Sequence, residues 1–147
     1  MALHTKQNSR GCVDGHGRTE LHYASLDGNF DKVNSLIADG LDIDLQDNGG
    51  FTPLHFASQE KRHEVVALLL ENGANPHLLD KHGNSPLWTA TMNARGEYSS
   101  VEELLKSGSD PLHVNRHGKS PLDFASTVDP KMKALYEIHL TNRLRTP

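Results

Sequence analysis

The sequence has little of what several classes of protein require. It contains one cysteine, Cys12, and one tryptophan among 147 residues, and aromatic residues make up only 5% of the chain. A single cysteine cannot form a disulfide within the chain, which favours a reducing compartment, so we expect a cytoplasmic protein. No apolar run is long enough to cross a membrane or to form a signal peptide, so we expect no membrane partner.

Charge and motif content argue against two further classes. The 15 basic and 19 acidic residues give a formal net charge of −4. Nucleic-acid-binding proteins carry a basic field, so we expect no nucleic-acid partner. The sequence has no glycine-rich phosphate loop, no paired cysteines spaced for a metal, and no nucleophile beside a base at a recognisable spacing. We therefore predict a protein without catalytic activity and without a cofactor.

One phrase of eleven residues recurs four times along the chain. Its copies are DGHGRTELHYA at 14–24, DNGGFTPLHFA at 47–57, DKHGNSPLWTA at 80–90 and NRHGKSPLDFA at 115–125. The hydroxyl residues at the centre of the copies follow one another at intervals of 33, 33 and 35 residues, and they are Thr19, Thr52, Ser85 and Ser120. A fixed period of this length indicates stacked supersecondary units, each of which buries its apolar face only against a neighbour.

Each repeated residue type has a physical role that predicts local structure. The Asp or Asn and the Gly of the phrase predict a tight turn, and the Thr or Ser predicts a helix N-cap. Proline follows at the first helical position in three copies, where it loses no hydrogen bond. A later apolar run such as Val66, Leu69 and Leu70 predicts a second helix, which ends at a glycine such as Gly73.

The phrase closely resembles the ankyrin repeat, whose period of about 33 residues and Thr-Pro-Leu-His core it shares. The resemblance implies an all-α solenoid of four helix-turn-helix repeats joined by β-hairpin-like loops. We expect an N-terminal tail at residues 1–13, an ankyrin-repeat domain at 14–142 and a C-terminal tail at 143–147. The repeats are expected at residues 14–46, 47–79, 80–114 and 115–142.

The last two repeats depart from a strict period. Repeat three is two residues longer than the first two, and aligning Gly28 with Gly96 places its insertion at residues 91–95. Insertions in repeat proteins fall in loops and are often on one working face, although a tolerated loop insertion explains this one equally well. In repeat four a closing apolar face is predicted from Met132, Leu135, Tyr136 and Ile138, and residues 143–147 are expected to fray.

The ten histidines raise the question of a metal site. The pairs His113 with His117 and His77 with His82 are the closest in sequence, but both lie in predicted loops rather than on one helix face. Neither pair has a third convergent ligand, so the pattern argues against a metal site.

Five histidines, including His82 and His117, occupy equivalent positions in the repeats. His22 and His55 hold the histidine of the family phrase, where the resemblance implies a structural hydrogen bond between neighbouring repeats. His16, His82 and His117 share one place in the hairpin and are expected along one edge of the stack. A partner that buried these three would bind in a pH-dependent way, but a polar residue before that glycine is also ordinary turn chemistry.

The resemblance implies that partners bind the concave surface formed by hairpin tips and first helices. Carried over residue by residue, the expected contacts at the tips are His16, Arg18, Asn48, Phe51, Lys81, His82, Asn84, Arg116, His117 and Lys119. Those on or beside the first helices are Leu26, Gln59, Trp88, Met92 and Asn93. We expect Phe51 to matter most, because a large apolar ring at a tip adds nothing to the repeat core. Trp88 has a competing structural role, which is to pack between repeats three and four.

These features predict a non-catalytic protein-binding module that is monomeric when free and binds one partner chain. Basic residues at the tips predict an acidic patch on that partner. We expect a stand-alone inhibitor or adaptor, and family analogy adds bacterial immunity proteins that cover a toxin's active site. The alternatives are a structural scaffold, which a second large exposed apolar patch would favour, and a metal-binding protein that uses the histidine-rich hairpins.

Overall fold

A computed structural model describes residues 11–145, which form eight helices and, within that range, no strand. The helices are α1 Glu20–Asp27, α2 Phe30–Ala38, α3 Pro53–Gln59, α4 His63–Glu71, α5 Pro86–Asn93, α6 Ser99–Lys106, α7 Pro121–Val128 and α8 Pro130–Arg145. They pair as four successive helix-turn-helix units, so the predicted all-α repeat fold is confirmed. The predicted N-terminal tail falls mainly on residues 1–10, which lie outside the described range.

The first helix of every repeat begins at the predicted hydroxyl cap. The hydroxyl of Thr52 accepts the backbone N–H of His55 at 3.2 Å, and that of Ser120 accepts the N–H of Asp123 at 3.1 Å. Thr19 and Ser85 cap α1 and α5 in the same way. Proline opens α3, α5 and α7, where its fixed φ suits the first helical residue. These local signals position each first helix directly after its tip.

The second helices of repeats one to three end at a glycine in the left-handed region. After α2, Gly40 has a φ of 86° and its N–H donates to the carbonyl of Ile37, while Leu41 N–H donates to Leu36 O. Gly73 and Gly108 repeat both bonds. The predicted glycines therefore lie just beyond the last helical residues, where they satisfy carbonyls that the helix leaves free.

The first helices pack side by side in one layer, and the second helices α2, α4 and α6 form another. Between the layers runs a continuous column of leucines, in which Leu21, Leu54 and Leu87 are fully buried. Small residues such as Ala57 and Ala90 on the first helices are also fully buried and allow close approach. The equivalent Leu122 in repeat four is only half-buried, and Tyr136 of α8 closes the column there.

The C-terminal helix corrects two expectations. Ile138 is 59% exposed and is not part of the closing face, because a face that contains Met132, Leu135 and Tyr136 continues at positions 139 and 140. The expected fraying from residue 143 is also wrong, since α8 continues through Arg145. No glycine or proline interrupts residues 131–145, so nothing in the sequence ends the helix earlier. Residues 146–147 lie outside the described range.

The insertion in repeat three lies later than expected. Residues 91–93 are still helical, and the extra length lies in the connection at 94–98, where Arg95 and Gly96 both have positive φ. At the end of this loop, the Tyr98 hydroxyl donates to both carboxylate oxygens of Asp129, at 3.0 and 2.8 Å. Asp129 also accepts the N–H of Met132, so it caps α8. The insertion is thereby joined to the last repeat.

The leucine column yields a test of the packing. Replacing Leu54 or Leu87 by Ala should lower the free energy of unfolding by about 2–5 kcal/mol, because each change leaves a cavity in the buried column. Replacing the exposed Lys81 by Ala should cost about 0.5 kcal/mol or less. Urea unfolding followed by circular dichroism measures both, and similar losses in the two groups would contradict this assignment of the core.

Candidate protein-binding surface

Each hairpin tip is a tight turn organised by one side-chain oxygen. The Oδ1 of Asp47 accepts the backbone N–H groups of Gly49 at 2.9 Å and of Phe51 at 2.8 Å. Gly50 provides the positive φ that closes the turn, and a Cβ there would approach the Asp80 backbone within 2.9 Å. The same pair of side-chain bonds recurs at the other three tips, from Asp14, Asp80 and Asn115.

Neighbouring tips are joined by a regular backbone hydrogen bond. These bonds are Asn48 N to His16 O at 2.9 Å, Lys81 N to Gly49 O at 2.9 Å, and Arg116 N to His82 O at 3.0 Å. Equivalent tip positions therefore follow one another along one edge of the stack. The rings of His82 and His117 are adjacent, with centroids 6.0 Å apart. In repeat two the corresponding place is Gly49, which separates His16 from that pair.

His22 and His55 make the hydrogen bonds that the family resemblance implies. The Nε2 of His22 lies 2.8 Å from Leu45 O and 3.2 Å from Phe51 O of the next repeat, and that of His55 lies 3.0 Å from Asn84 O of the next repeat. The Nδ1 atom of each ring accepts the backbone N–H of its own N-cap residue, so Nε2 carries the proton and donates. Burial lowers the pKa of both histidines.

Repeats three and four replace this histidine with other contacts. Trp88 is half-buried, and its ring meets that of Phe124 edge-on at 5.8 Å, so the alternative role of packing between repeats three and four is confirmed. In repeat four, Asp123 accepts the Ser120 N–H at 2.9 Å and completes a capping box. That backbone hydrogen bond is the main reason why the pKa of Asp123 is lowered.

Arg18 does not present the free charge that the sequence predicted at its tip. Its Nε donates to Asp47 Oδ2 at 2.9 Å, where the Arg18 side chain is 29% exposed and that of Asp47 is 2% exposed. The guanidinium also lies 4.9 Å above the centre of the Phe56 ring. The charge of Arg18 is therefore neutralised between repeats one and two.

Phe51 is not the free aromatic tip that the sequence predicted. The side chain is half-buried, and its ring lies 5.7 Å from the ring of His55 and 5.8 Å from that of Phe56. The premise that Phe51 adds nothing within the repeats is thus wrong. Its replacement by Ala is expected to lower stability as well as to remove any contact with a partner.

The other predicted contact residues divide by exposure. Asn84 is half-buried, and its Oδ1 accepts the Asn115 side-chain N–H at 2.9 Å. The remaining half-buried positions are Leu26, Gln59 and Asn93. The exposed positions are His16, Asn48, Lys81, His82, Met92, Arg116, His117 and Lys119. Five of these lie together on the tips of repeats three and four, and we call Lys81, His82, Arg116, His117 and Lys119 the tip cluster.

Sequence reasoning missed two surfaces. Tyr23, on α1, is exposed, and its hydroxyl donates to Asp14, which lowers the pKa of that carboxyl to about 2. At the far end of the stack, an open groove of about 800 Å³ is lined by residues that include Leu112, Leu140 and Leu144. Leu112 belongs to no helix and lies outside the helical period, and that was the one signal of a surface role in the sequence.

The structure also bears on the remaining histidines and on membranes. Within residues 11–145, no group of three or more His, Cys, Asp and Glu side chains is placed to hold a metal ion. The Nε2 of His113 instead lies 3.2 Å from Gly83 O.

No helix in the described part of the chain is both long and apolar enough to cross a membrane.

Comparison with known proteins identifies the family. A family model described as ankyrin repeats (3 copies) matches residues 2–80 and residues 21–115, which together span well over half of the chain. The chain belongs to the ankyrin-repeat family. No curated protein matches it. Repeat four lies beyond the matched residues except for Asn115, yet Asn115 forms the same turn and Ser120 the same cap as in the other repeats. Ankyrin repeats indicate that this chain is a protein-interaction module, and the family is generally non-catalytic.

The pair of Arg18 and Asp47 provides a test of the tip geometry. Replacing Arg18 by Ala should lower the free energy of unfolding by about 1–3 kcal/mol, because a buried carboxylate oxygen loses its donor. Replacing Lys32 by Ala, which breaks an exposed pair with Glu20, should cost about 0.5 kcal/mol or less. Chemical denaturation of the two variants measures the difference, and a silent Arg18 variant would show that this pair is not formed in solution.

The buried histidines predict how stability depends on pH. Their folded-state pKa values lie below the ordinary value of 6.5, so the unfolded chain binds more protons as the pH falls. The free energy of unfolding should therefore be constant above about pH 7 and fall as the pH drops below 6.5, by at most about 1.4 kcal/mol per pH unit for each histidine. His139, whose pKa is also lowered by burial, adds to this trend.

Urea midpoints at pH 7.5 and 5.5 measure this dependence. The His55→Gln variant should be less stable at pH 7.5 but lose less stability on acidification than the wild-type protein, because it lacks one of the histidines whose pKa is lowered by burial. A wild-type protein equally stable at both pH values would contradict the buried, neutral state of these rings.

Proposed function

We propose that this module binds one partner protein through the side of the stack formed by the hairpin tips and first helices, and that it acts as a non-catalytic inhibitor or adaptor. The observation that supports this proposal most is the tip cluster. Within residues 11–145, the side chains of Lys81, Arg116 and Lys119 make no hydrogen bond and no ion pair. The corresponding groups at earlier tips, such as Arg18 and Asn48, contact the neighbouring repeat.

Exposed apolar side chains on the first helices support the same side as the interface. Met92, on α5, is half exposed although it belongs to a first helix whose other apolar residues are largely buried. Tyr23 adds a partly exposed ring on α1. Interfaces combine buried aromatic or Met anchors with a charged rim, and the tip cluster with these two side chains has that composition.

The finer features of the proposal rest on the sequence. A module with charged tips fits a protein that is monomeric when free, works in the cytoplasm and binds a single partner with an acidic patch. By family analogy, one form of this role is an immunity protein that covers a toxin's active site. An inhibitor abolishes the activity of its bound partner, whereas an adaptor leaves that activity intact.

The test compares matched charge reversals on two sides of the molecule. The tagged full chain is used to capture proteins from the source cells, and each captured protein is purified for affinity and rate measurements. Arg116→Glu with Lys119→Glu should weaken binding by at least about ten-fold, mainly by slowing association, and should reduce its salt dependence. Glu71→Lys with Glu102→Lys, on exposed positions of the second helices, is the control and should change little.

Two results would overturn the proposal. If the second-helix control abolishes binding while the tip variant is silent, the partner uses the opposite side of the stack. If no protein is retained more strongly by the wild type than by the tip variant, the tips are not an interface. An activity assay on a captured enzyme then separates an inhibitor from an adaptor.

A structural scaffold is the second candidate, and one observation favours it. The groove beside α8 is an exposed apolar patch separate from the tips, with Leu112 52% exposed and Leu144 89% exposed. A scaffold should self-associate or join an assembly through this groove. Sedimentation over a range of concentrations should then show species larger than the monomer, which Leu112→Asp with Leu144→Asp would remove and the tip variant would not.

A further inference from the structure

The tip cluster concentrates positive charge on one small part of an acidic protein. Lys81, Arg116 and Lys119 are exposed on two adjacent tips of a chain whose formal net charge is −4. The two tips are held together by the Arg116 N–H bond to His82 O at 3.0 Å, so their side chains share one rigid frame. Such a local field attracts an anionic partner.

The two histidines of the cluster form a close pair. The His82 and His117 rings are exposed, with centroids 6.0 Å apart and planes inclined by 31°. Within residues 11–145, no nitrogen of the His82 ring or of the His117 ring has a hydrogen-bond partner. The rings of His22 and His55, in contrast, are held by hydrogen bonds to backbone carbonyls. The His82 and His117 rings therefore lie at the surface beside three cations, with ring nitrogens available to a group from outside the chain.

The charged surroundings of the pair come from four segments of the chain. They are Asp80 and Lys81 on the third tip, Arg116 and Lys119 on the fourth, His113 in the loop before it, and Asp123 in the first turn of α7. Asp123 is exposed, and the charge of nearby Lys119 adds to the Ser120 hydrogen bonds that lower the pKa of Asp123, so this carboxylate offsets part of the cluster's charge. Asp80 is buried and accepts two backbone N–H groups, and Asp123 accepts the Ser120 N–H. An external anion would complement the positive charge that these two carboxylates leave unbalanced.

We propose that the tip cluster is an acid-strengthened docking site for a run of Asp or Glu side chains on the partner protein. The inference rests on the proposed function and names the chemistry of the partner's contact. Carboxylates placed against the cluster favour protonated imidazoles, so binding takes up protons and tightens as the pH falls. Lys81, Arg116 and Lys119 supply the part of the affinity that does not depend on pH.

The site is confined to repeats three and four. In repeat two, Gly49 takes the place of the histidine, so His16 has no ring beside it. Arg18 is paired with Asp47, and Phe51 takes the place that Lys119 has in repeat four. The first two tips thus offer neither a histidine pair nor a free cation cluster.

The experiment uses the full chain and a fluorescein-labelled peptide of ten glutamates as the probe, with binding measured by fluorescence anisotropy at pH 6 and pH 8. The affinity should be at least about five-fold higher at pH 6 and should fall as salt is raised from 50 to 300 mM. His82→Asn with His117→Asn should keep the pH 8 affinity and lose the rise at pH 6. Arg116→Glu with Lys119→Glu should lose binding at both pH values.

Two control variants and the results that would contradict the proposal complete the design. His16→Asn, and Arg143→Glu with Arg145→Glu on α8, should leave binding unchanged. Binding that is independent of pH, or that depends on the α8 arginines, would overturn the proposal. Tighter binding of a ten-nucleotide RNA with the same variant pattern would also overturn it, because the site would then recognise phosphates rather than carboxylates. Unchanged melting temperatures show that the exposed substitutions leave the fold intact.

The result also separates this inference from the proposed function. One outcome is a captured partner that binds through the tips without any dependence on pH, while the chain has no affinity for the glutamate peptide. That combination would overturn the acid-strengthened site but leave the proposed function standing. Tip variants that are silent towards both the captured partner and the peptide remove both proposals.

Discussion

The regular edge of this solenoid depends on one oxygen atom per repeat. The Oδ1 of Asp47 and its equivalents hold two backbone N–H groups, which fixes each tip in a single shape. Only because the tips have the same shape can each donate its backbone hydrogen bond to the one before it. Buried backbone donors must find partners, so the oxygen that satisfies two of them also sets the spacing of the row. The exposed side chains at equivalent tip positions are therefore spaced at the same regular interval.

The repeats use this common frame unequally. In the first half, side chains at the tips return to the stack, as Arg18 does to Asp47 and Phe51 to Phe56. In the second half the tip cluster points to solvent with no such contacts. Because the backbone hydrogen bonds already hold the row of tips together, some tip side chains are not needed to stabilise the fold. Those are the positions at which sequence can change to suit a partner.

Much of the fold could be predicted from the sequence, because turns, caps and helix ends are local and each copy repeats the same chemistry. Ile138 could also have been placed correctly, since it is out of phase with Met132 and Tyr136 on a helix. The pairing of Arg18 with Asp47 was harder, because the two residues lie one repeat apart and at different places in the phrase. Phe51 and Asn84 occupy the place of Arg18 in the next repeats, so the period itself did not reveal the pair.

The candidate site was only partly predictable for the same reason. The sequence identified which positions lie at the tips, and that was sufficient to place His82 and His117 on one edge. It could not show which tip side chains turn back into the stack, since that depends on the neighbour across the repeat boundary. The glycine at position 49 was the visible sign that the histidine row would be interrupted.

The bond between Tyr98 and Asp129 has a consequence for how the stack opens. A solenoid unfolds most readily from its ends, because a terminal repeat has one neighbour instead of two. The Tyr98 hydroxyl holds the residue that caps α8, and so links an internal loop to the terminal helix. Amide hydrogens of the 94–98 loop and of the first turn of α8 should therefore exchange with solvent as one cooperative unit, separate from the outer turns of α8.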